Sequence, residues 1–227
     1  MRRQVFGAAA VAALLAASPA AFAQDLTVTW ADDSTSDVGY DPRVTQSRHE
    51  EQVIVQVFDQ LVAADADGTL YPNLATEWIV ADDNMSVTLK LREDVTFHDG
   101  TPFDAKAVKF TFDTITDPAT GSQGAVDLLG PYSGSEVIGL YEIKISYTRA
   151  FPGAIASFSE NELSPVSPSA VAALGNTGFA QAPVGTGPFK FESWEQGSYI
   201  HLVKNPDYYR DGLPRLEIFS WLGGACA

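Results

Sequence analysis

Alternating hydrophobic and polar residues predict β-strands near both ends of the chain and in its middle. Strict alternation over a few residues is typical of a strand with one buried face. A hairpin is predicted where Asp82–Met85 separates two such runs, and another where Gln196-Gly197 separates two more. The predicted strands are residues 26–30, 77–81, 86–91, 189–191 and 199–203, with a further pair within 136–148 and a short extended piece within 58–64.

Two segments instead carry apolar residues at helical spacing. Residues 46–60 and 105–115 are predicted helices, and Asp104 has the type and position of an N-cap for the second. Pro152 and Pro168 each fit the first turn of a short helix. Residues 117–135, rich in Gly, Pro and Ser, are predicted to be loop. Strands with interspersed helices predict a mixed α/β (α+β) fold rather than a sandwich.

The N-terminus has the pattern of an export signal. Arg2 and Arg3 precede an apolar run over residues 6–17, and the small-residue triplet Ala21-Phe22-Ala23 follows. The run is too short for a membrane span, which takes about 20 apolar residues. We expect residues 1–23 to be a cleaved signal peptide and the product to be periplasmic.

The amino-acid composition, and above all its net charge, excludes some classes of binding partner. The formal net charge is −15, which argues against nucleic acid and anionic membrane surfaces as partners. Cys226 is the only cysteine, so no internal disulfide is possible and an ordinary hydrophobic core must stabilise the fold.

Catalytic and metal motifs are absent from the sequence. There is no G-x-S-x-G or H-E-x-x-H, and the three histidines are His49, His98 and His201, far apart along the chain. Asp65–Gly68 has some likeness to a calcium loop, but its glycine comes too early, so a solvated turn is favoured. His98 is interpreted as a turn residue that packs on, or hydrogen-bonds to, the base of a hairpin, with a metal ligand as the alternative. We therefore expect no enzyme activity, no metal and no cofactor.

Two long motifs resemble one family. The first is Thr76-Glu77-Trp78 followed by Val87–Phe110, and the second is Pro183-Val-Gly-Thr-Gly-Pro-Phe189 followed by Asn205-Pro-Asp-Tyr-Tyr209. Their content and order resemble the family 5 extracellular solute-binding proteins, the peptide, nickel and related receptors of bacterial ABC importers. The resemblance covers residues 26–215.

The resemblance implies a periplasmic binding protein type II-like lobe one with an inserted sub-domain. By this analogy residues 24–49 and 150–219 form the core of lobe one, residues 50–149 form the insertion, and residues 220–227 form an atypical tail. Family members are roughly twice as long, so we expect that the second lobe is missing and that the chain is a truncated receptor.

The resemblance also suggests where a solute binds. The loop after the first strand should overhang the cleft, and the corner at residues 183–188 could offer backbone groups to an extended ligand. Each could equally be a turn without ligand contact. The predicted contacts are Ser34, Thr35, Ser36, Asp37, Gly39, Asn161, Thr186 and Gly187.

The implied function is the periplasmic substrate-binding component of an ABC importer, most simply for di- or oligopeptides. A nickel complex, glutathione or an oligosaccharide fits the same family, and the implied protein partner is an inner-membrane permease. A secreted interaction module that binds no small molecule and self-associates through an exposed face is the alternative. A hydrolase that uses carboxylates has only unassigned Asp and Glu residues in its favour.

Overall fold

The computed structural model describes residues 27–32, 36, 38–45 and 47–223. The predicted signal peptide, Ser34, Thr35, Asp37 and Cys226 lie outside the described residues. The strands are β1 (Thr27–Asp32), β2 (Val62–Ala64), β3 (Leu70–Pro72), β4 (Ala75–Val80), β5 (Ser86–Leu91), β6 (Tyr132–Gly139), β7 (Glu142–Tyr147), β8 (Phe189–Glu195), β9 (Tyr199–Lys204) and β10 (Ile218–Gly223). The helices are α1 (Arg48–Val57), α2 (Ala105–Thr116), α3 (Gly124–Leu129), α4 (Ala154–Ser157) and α5 (Pro168–Gln181), with 3-10 turns at Pro118–Thr120 and Asn161–Leu163.

One four-stranded sheet joins the two ends of the described chain in the order β1-β10-β9-β8. β1 and β10 are parallel, with Thr27 opposite Ile218, and the other pairs are antiparallel. The predicted β8–β9 hairpin is present. Residues 220–223, expected to belong to the atypical tail, continue β10, which stays paired with β1 as far as Gly223.

A second four-stranded sheet, in the order β4-β5-β7-β6, is antiparallel throughout. Its strands include both pairs predicted between residues 77 and 148. Val87, Leu89 and Leu91 alternate inward along β5, as the sequence pattern requires. They pack against the buried face of α2, which carries Val108 and Phe112.

Helix α1 is shorter than predicted but buries the predicted face. Ser47 caps it, since its Oγ accepts a hydrogen bond from the Glu50 amide at 3.3 Å. The chain becomes extended at Phe58, where the predicted helix over 46–60 and the predicted extended piece within 58–64 overlapped. Val53 and Val57 belong to the core beneath β8 and β9. α1 therefore packs on the first sheet although it begins near the predicted domain boundary; the division into lobe and insertion stays a prediction.

The segment predicted as loop contains a short helix and the start of β6. α3 buries Ala125 and Leu129 against the same core as α2. Tertiary packing of these apolar residues outweighs the turn-forming composition around them. The element order confirms the predicted mixed α/β class. No helix among the described residues is both long and apolar enough to cross a membrane.

Candidate functional site

The loop after β1 is tied to the first turn of α1 by one carboxylate. The hydroxyl of Ser36 accepts hydrogen bonds from the amides of Val38, at 3.1 Å, and Gly39, at 2.8 Å, and lies 2.8 Å from Oε1 of Glu50. Thr45 donates to Oε2 of Glu50 at 2.6 Å. Glu50 therefore holds both ends of this loop, and the Ser36 side chain is turned into the protein.

Gly39 allows the same loop to lie directly against α5. Its φ is +99°, and a Cβ there would stand 2.3 Å from the carbonyl oxygen of Ala180. The amide of Tyr40 donates to that oxygen at 2.7 Å. Both the left-handed backbone and the close approach require glycine.

A buried ion pair fixes the other half of the loop. Arg43 is fully buried and makes a bidentate contact with Asp41, at 3.0 and 2.7 Å. Its Nη1 donates to Thr114 on α2 at 3.1 Å, and its Nη2, besides bonding Asp41, donates to Asn176 on α5 at 3.3 Å. Arg43 thereby connects the loop to helices of both halves of the fold.

A cavity of about 590 Å³, called here the loop cavity, opens beside this loop. Its volume falls in the range of about 300–1,000 Å³ that is usual for small-molecule sites. Hydroxyl, amide and carboxylate groups predominate among its polar lining residues, so it can hydrogen-bond an extended polar ligand. The lining residues are Val38, Asp41, Val44, Glu50, Thr120, Gly121, Asn176, Thr177, Ala180 and Gln181.

The corner before β8 is pressed onto the end of α1. A Cβ at Gly185 would lie 2.1 Å from the Val57 carbonyl oxygen, and one at Gly187 would lie 2.7 Å from it. Neither glycine has a positive φ. These glycines are therefore needed because the two backbones touch, and not because the backbone conformation requires them.

His98 holds the corner from the other side. Its backbone amide donates to the Gly185 carbonyl at 2.9 Å, its Nδ1 accepts from the Gly185 amide at 3.4 Å, and its Nε2 lies 2.9 Å from the Gly187 carbonyl. These bonds require the neutral ring protonated at Nε2. Burial lowers the pKa of His98 to about 4. His98 was interpreted either as a hydrogen-bonded turn residue or as a metal ligand, and the structure shows the hydrogen-bonded turn residue. Its partner is the corner rather than the base of a hairpin.

Asp99 extends the same contact to α5. Its Oδ2 accepts hydrogen bonds from the hydroxyls of Ser167, at 2.5 Å, and Ser169, at 3.0 Å. Its Oδ1 accepts from the amide and hydroxyl of Thr101. The turn at His98 and Asp99, which belongs to the first motif, therefore forms hydrogen bonds with both the second motif and the start of α5.

A second, smaller cavity of about 320 Å³ lies beside the corner and is called here the corner cavity. Asp59 lines it and accepts hydrogen bonds from Tyr208, at 2.9 Å, and Thr186, at 3.2 Å. Burial raises the pKa of Asp59 to about 6, against the opposing effect of those hydrogen bonds. The lining residues are Val55, Asp59, Gln60, Ala63, Ala64, Tyr71, Asn73, Ser159, Pro188, Tyr208 and Arg210.

Four of the predicted contact residues that the structure describes lie near these two cavities. Ser36 and Gly39 support the loop that borders the loop cavity at Val38. Thr186 and Asn161 reach the corner cavity only through their hydrogen bonds to Asp59 and Gln60. α1, about 15 Å long at 1.5 Å per residue, lies between, with Glu50 at one end and Asp59 just beyond the other.

The corner offers few backbone groups to a ligand. The amide of Gly187 donates to the Val57 carbonyl at 2.9 Å. The carbonyl of Gly187 accepts a hydrogen bond from Nδ2 of Asn205 at 3.0 Å and another from Nε2 of His98. Ligand contact at Thr186 and Gly187 stays a prediction, as it does for Asn161.

Sequence reasoning missed three residues that organise this region: Arg43, Glu50 and Asp59. Each is a charged residue that is buried in the structure. Glu50 and Asp59 lay inside a predicted helix, where acidic residues are common on the solvent face. The sequence alone does not show that these three side chains are buried.

The sequence profile of "Bacterial extracellular solute-binding proteins, family 5 Middle" matches residues 69–222. The chain is 33% identical over 213 residues to the glutathione-binding protein GsiB of Escherichia coli K12. That alignment covers 93% of this chain and 40% of GsiB, so the chain spans about two fifths of the length of the curated relative it matches.

Solved structures agree with the fold. The periplasmic binding protein DppA from Helicobacter pylori, in complex with the peptide STSA, superposes with a TM-score of 0.77 at 25% identity, covering 87% of this chain and 42% of DppA. NikZ from Campylobacter jejuni, in complex with Ni(L-His), superposes with a TM-score of 0.76 at 25% identity, covering 87% and 39%. The predicted likeness to one lobe of the type II periplasmic binding proteins is confirmed.

Proposed function

The chain belongs to the bacterial extracellular solute-binding proteins of family 5, and from this premise we propose that it is the periplasmic substrate-binding component of an ABC importer for di- or oligopeptides. Its partners in this role are a small solute and an inner-membrane permease. The observation that carries the proposal is the family match across residues 69–222.

Two of the similar proteins favour a peptide. GsiB is named for glutathione, itself a tripeptide, and DppA holds the peptide STSA. NikZ holds a nickel–histidine complex, which keeps a metal chelate as the second candidate ligand. The loop cavity supports the peptide, because its lining of amides and hydroxyls suits the repeated polar groups of an extended backbone.

In this proposal the loop after β1 contacts the solute. Ser34, Thr35 and Asp37 supply direct contacts, while Ser36 and Gly39 act as positioning residues. Ser36 has its hydroxyl engaged with Glu50 and the loop amides, and Gly39 lies against Ala180. A preorganised loop limits the entropy lost on binding.

Calorimetric titration of the 227-residue chain tests the proposal. The ligands are di-, tri- and tetrapeptides, glutathione and the nickel–histidine complex. Thr177→Trp places a large side chain at the loop cavity, and Thr148→Trp makes the same change at an exposed site elsewhere. We expect peptide binding that Thr177→Trp weakens at least about tenfold, or about 1.4 kcal/mol, and that Thr148→Trp leaves unchanged.

Other outcomes separate the alternatives. Binding of the nickel complex without peptides would replace the peptide by a chelate within the same family. Concentration-dependent dimerisation with no heat from any ligand would favour a secreted protein-interaction module.

A further inference from the structure

The corner cavity contains a buried carboxylate that forms no salt bridge with any described residue. Asp59 is only 7% exposed, and its two oxygens receive one hydrogen bond each, from Tyr208 and Thr186. An ionised carboxylate offers about four acceptor positions. Burial raises the pKa of Asp59 to about 6, although the hydrogen bond from Tyr208 and the nearby charge of Arg210 lower it. Asp59 thus retains acceptor capacity for a cationic group.

Arg210 lines the same cavity with donors to spare. Its Nη2 donates to Oδ1 of Asn73, and its guanidinium lies 5.6 Å from the centre of the Tyr209 ring. A guanidinium has five N–H donors in a fixed planar arrangement that matches a carboxylate. Asn73 is held in turn by Tyr209, whose hydroxyl donates to it at 2.9 Å. The guanidinium of Arg210 is therefore held in place by Asn73, and its remaining donors can bind an anion.

These two charges, at the wall of one small cavity, complement a molecule that carries both signs. We propose that the corner cavity is a second binding site, for a compact zwitterion of the α-amino acid class. Its ammonium group lies at Asp59 and its carboxylate at Arg210. Gln60, Ser159 and Tyr71 complete a polar wall. The site is separate from the loop cavity and does not depend on the function proposed for it.

Charge and size select this class over simpler ligands. A lone carboxylate is opposed by ionised Asp59, and a lone amine leaves Arg210 without its anion. The cavity volume of about 320 Å³ is at the lower end for small-molecule sites. In a longer peptide the terminal charges separate by a further 3.3–3.6 Å or so for each extended residue. A single amino acid keeps both charges within the cavity.

Calorimetric titration of the 227-residue chain with glycine and L-alanine tests the proposal, with propionate and ethylamine as half-ligands. We expect the amino acids to bind at least about tenfold more tightly than either half-ligand. Arg210→Gln should cost at least tenfold in affinity, because Arg210 binds the carboxylate. Arg215→Gln removes the same charge five residues away, outside the lining of this cavity, and should change nothing.

Proton release provides a second readout that a merely structural role would not produce. Tyr208, Tyr209 and Arg210 face Asp59. Burial raises the pKa of both tyrosines, that of Tyr209 to about 12, and the pKa of Arg210 is raised as well, so none of the three changes charge near pH 6. An ammonium ligand stabilises ionised Asp59, and binding at pH 6 should therefore release about half a proton. Titrations in buffers of different ionisation enthalpy measure this number, and Asp59→Asn should abolish it.

Three results would overturn the proposal: amino acids that bind no better than propionate or ethylamine, equal losses for Arg210→Gln and Arg215→Gln, or binding at pH 6 without proton release. Because Thr177→Trp alters only the loop cavity, it should leave alanine binding intact. Failure here is thus distinguishable from failure of peptide binding at the loop cavity.

Discussion

Two titratable residues flank the corner before β8, and burial shifts their pKa values in opposite directions. Neutral His98 bonds both glycines of the corner, and Asp59 accepts the hydroxyl of Thr186 between them. Burial disfavours the charged form of each group, which lowers the pKa of the imidazole and raises that of the carboxyl. Their contributions to stability must therefore oppose each other in mildly acidic solution.

The His98 contribution has a defined sign. Its pKa falls from about 6.5 in the unfolded chain to about 4 in the fold, so the unfolded chain binds more protons between these values. The stability from neutral His98 is present above pH 6.5 and declines as the pH falls towards 4. We expect His98→Gln to flatten this decline in urea-unfolding free energies measured from pH 4 to 7. His201→Gln is the matched control, and an equally flattened profile in that variant would contradict the assignment.

Asp59 acts in the reverse sense. Its pKa rises from about 3.8 to about 6 on folding, so its contribution is present below pH 3.8 and is lost as the pH rises through 6. Asp59→Asn should therefore make stability rise more steeply with pH between 4 and 6. The same unfolding series measures this change, and a flatter profile than that of the unaltered chain would contradict it.

At the scale of elements, helix α1 and the corner determine the local architecture. The apolar stripe of Val53 and Val57 predicted the buried face of the helix, and the carbonyl of its last residue accepts the Gly187 amide of the corner. The corner could be recognised from its two prolines and two glycines. The reason for the glycines could not, because the carbonyl of Val57 that excludes a Cβ lies over 120 residues earlier in the chain.

Gly185→Ala tests this close contact. A Cβ placed 2.1 Å from the Val57 carbonyl oxygen requires the backbone to shift, and overpacking of this kind costs about 1–3 kcal/mol. Gly124→Ala is the control, since its Cβ would meet only the Thr45 carbonyl at 4.0 Å. Thermal unfolding should show a large loss for the first variant and none for the second. Equal midpoints would mean that the corner is not pressed onto α1.

Arg43→Met tests the connection between the loop, α2 and α5. The change leaves Asp41 buried without its partner, which typically costs about 3–5 kcal/mol. Asp41→Asn in the same chain removes the unpaired charge and should restore part of the loss. Lys109→Met breaks an exposed ion pair on α2 and should cost no more than about 0.5 kcal/mol. Urea unfolding measures all three, and equal costs for Arg43→Met and Lys109→Met would contradict the role of Arg43.

At the scale of the molecule, two sheets are joined where the two sequence motifs meet. The turn at His98 and Asp99 belongs to the first motif, and the corner at Gly185 and Gly187 belongs to the second. Alternation and helical spacing were enough to predict most strands and the buried face of α2, because these signals are local. Local patterns did not predict the contact between the two motifs, the helix α3 or the buried charges. All three depend on tertiary contacts, which no local pattern encodes.

The candidate site was predictable only in part, for the same reason. The loop after β1 was identified from its position at a strand end, and it does border a cavity at Val38. The corner was placed in the same cleft by analogy, but α1 stands between it and that loop. Local sequence cannot reveal which of two loops shares a cavity, since that depends on what packs between them.

The central claim is that the loop cavity receives an extended peptide, and mapping a bound peptide on the chain by amide chemical shifts tests it most directly. The uniformly ¹⁵N-labelled 227-residue chain is titrated with a tetrapeptide. We predict saturable shifts concentrated in residues 36–45, 120–124 and 176–181, the segments around the loop cavity. Saturable shifts confined to other surfaces, or none up to millimolar peptide, would contradict the claim.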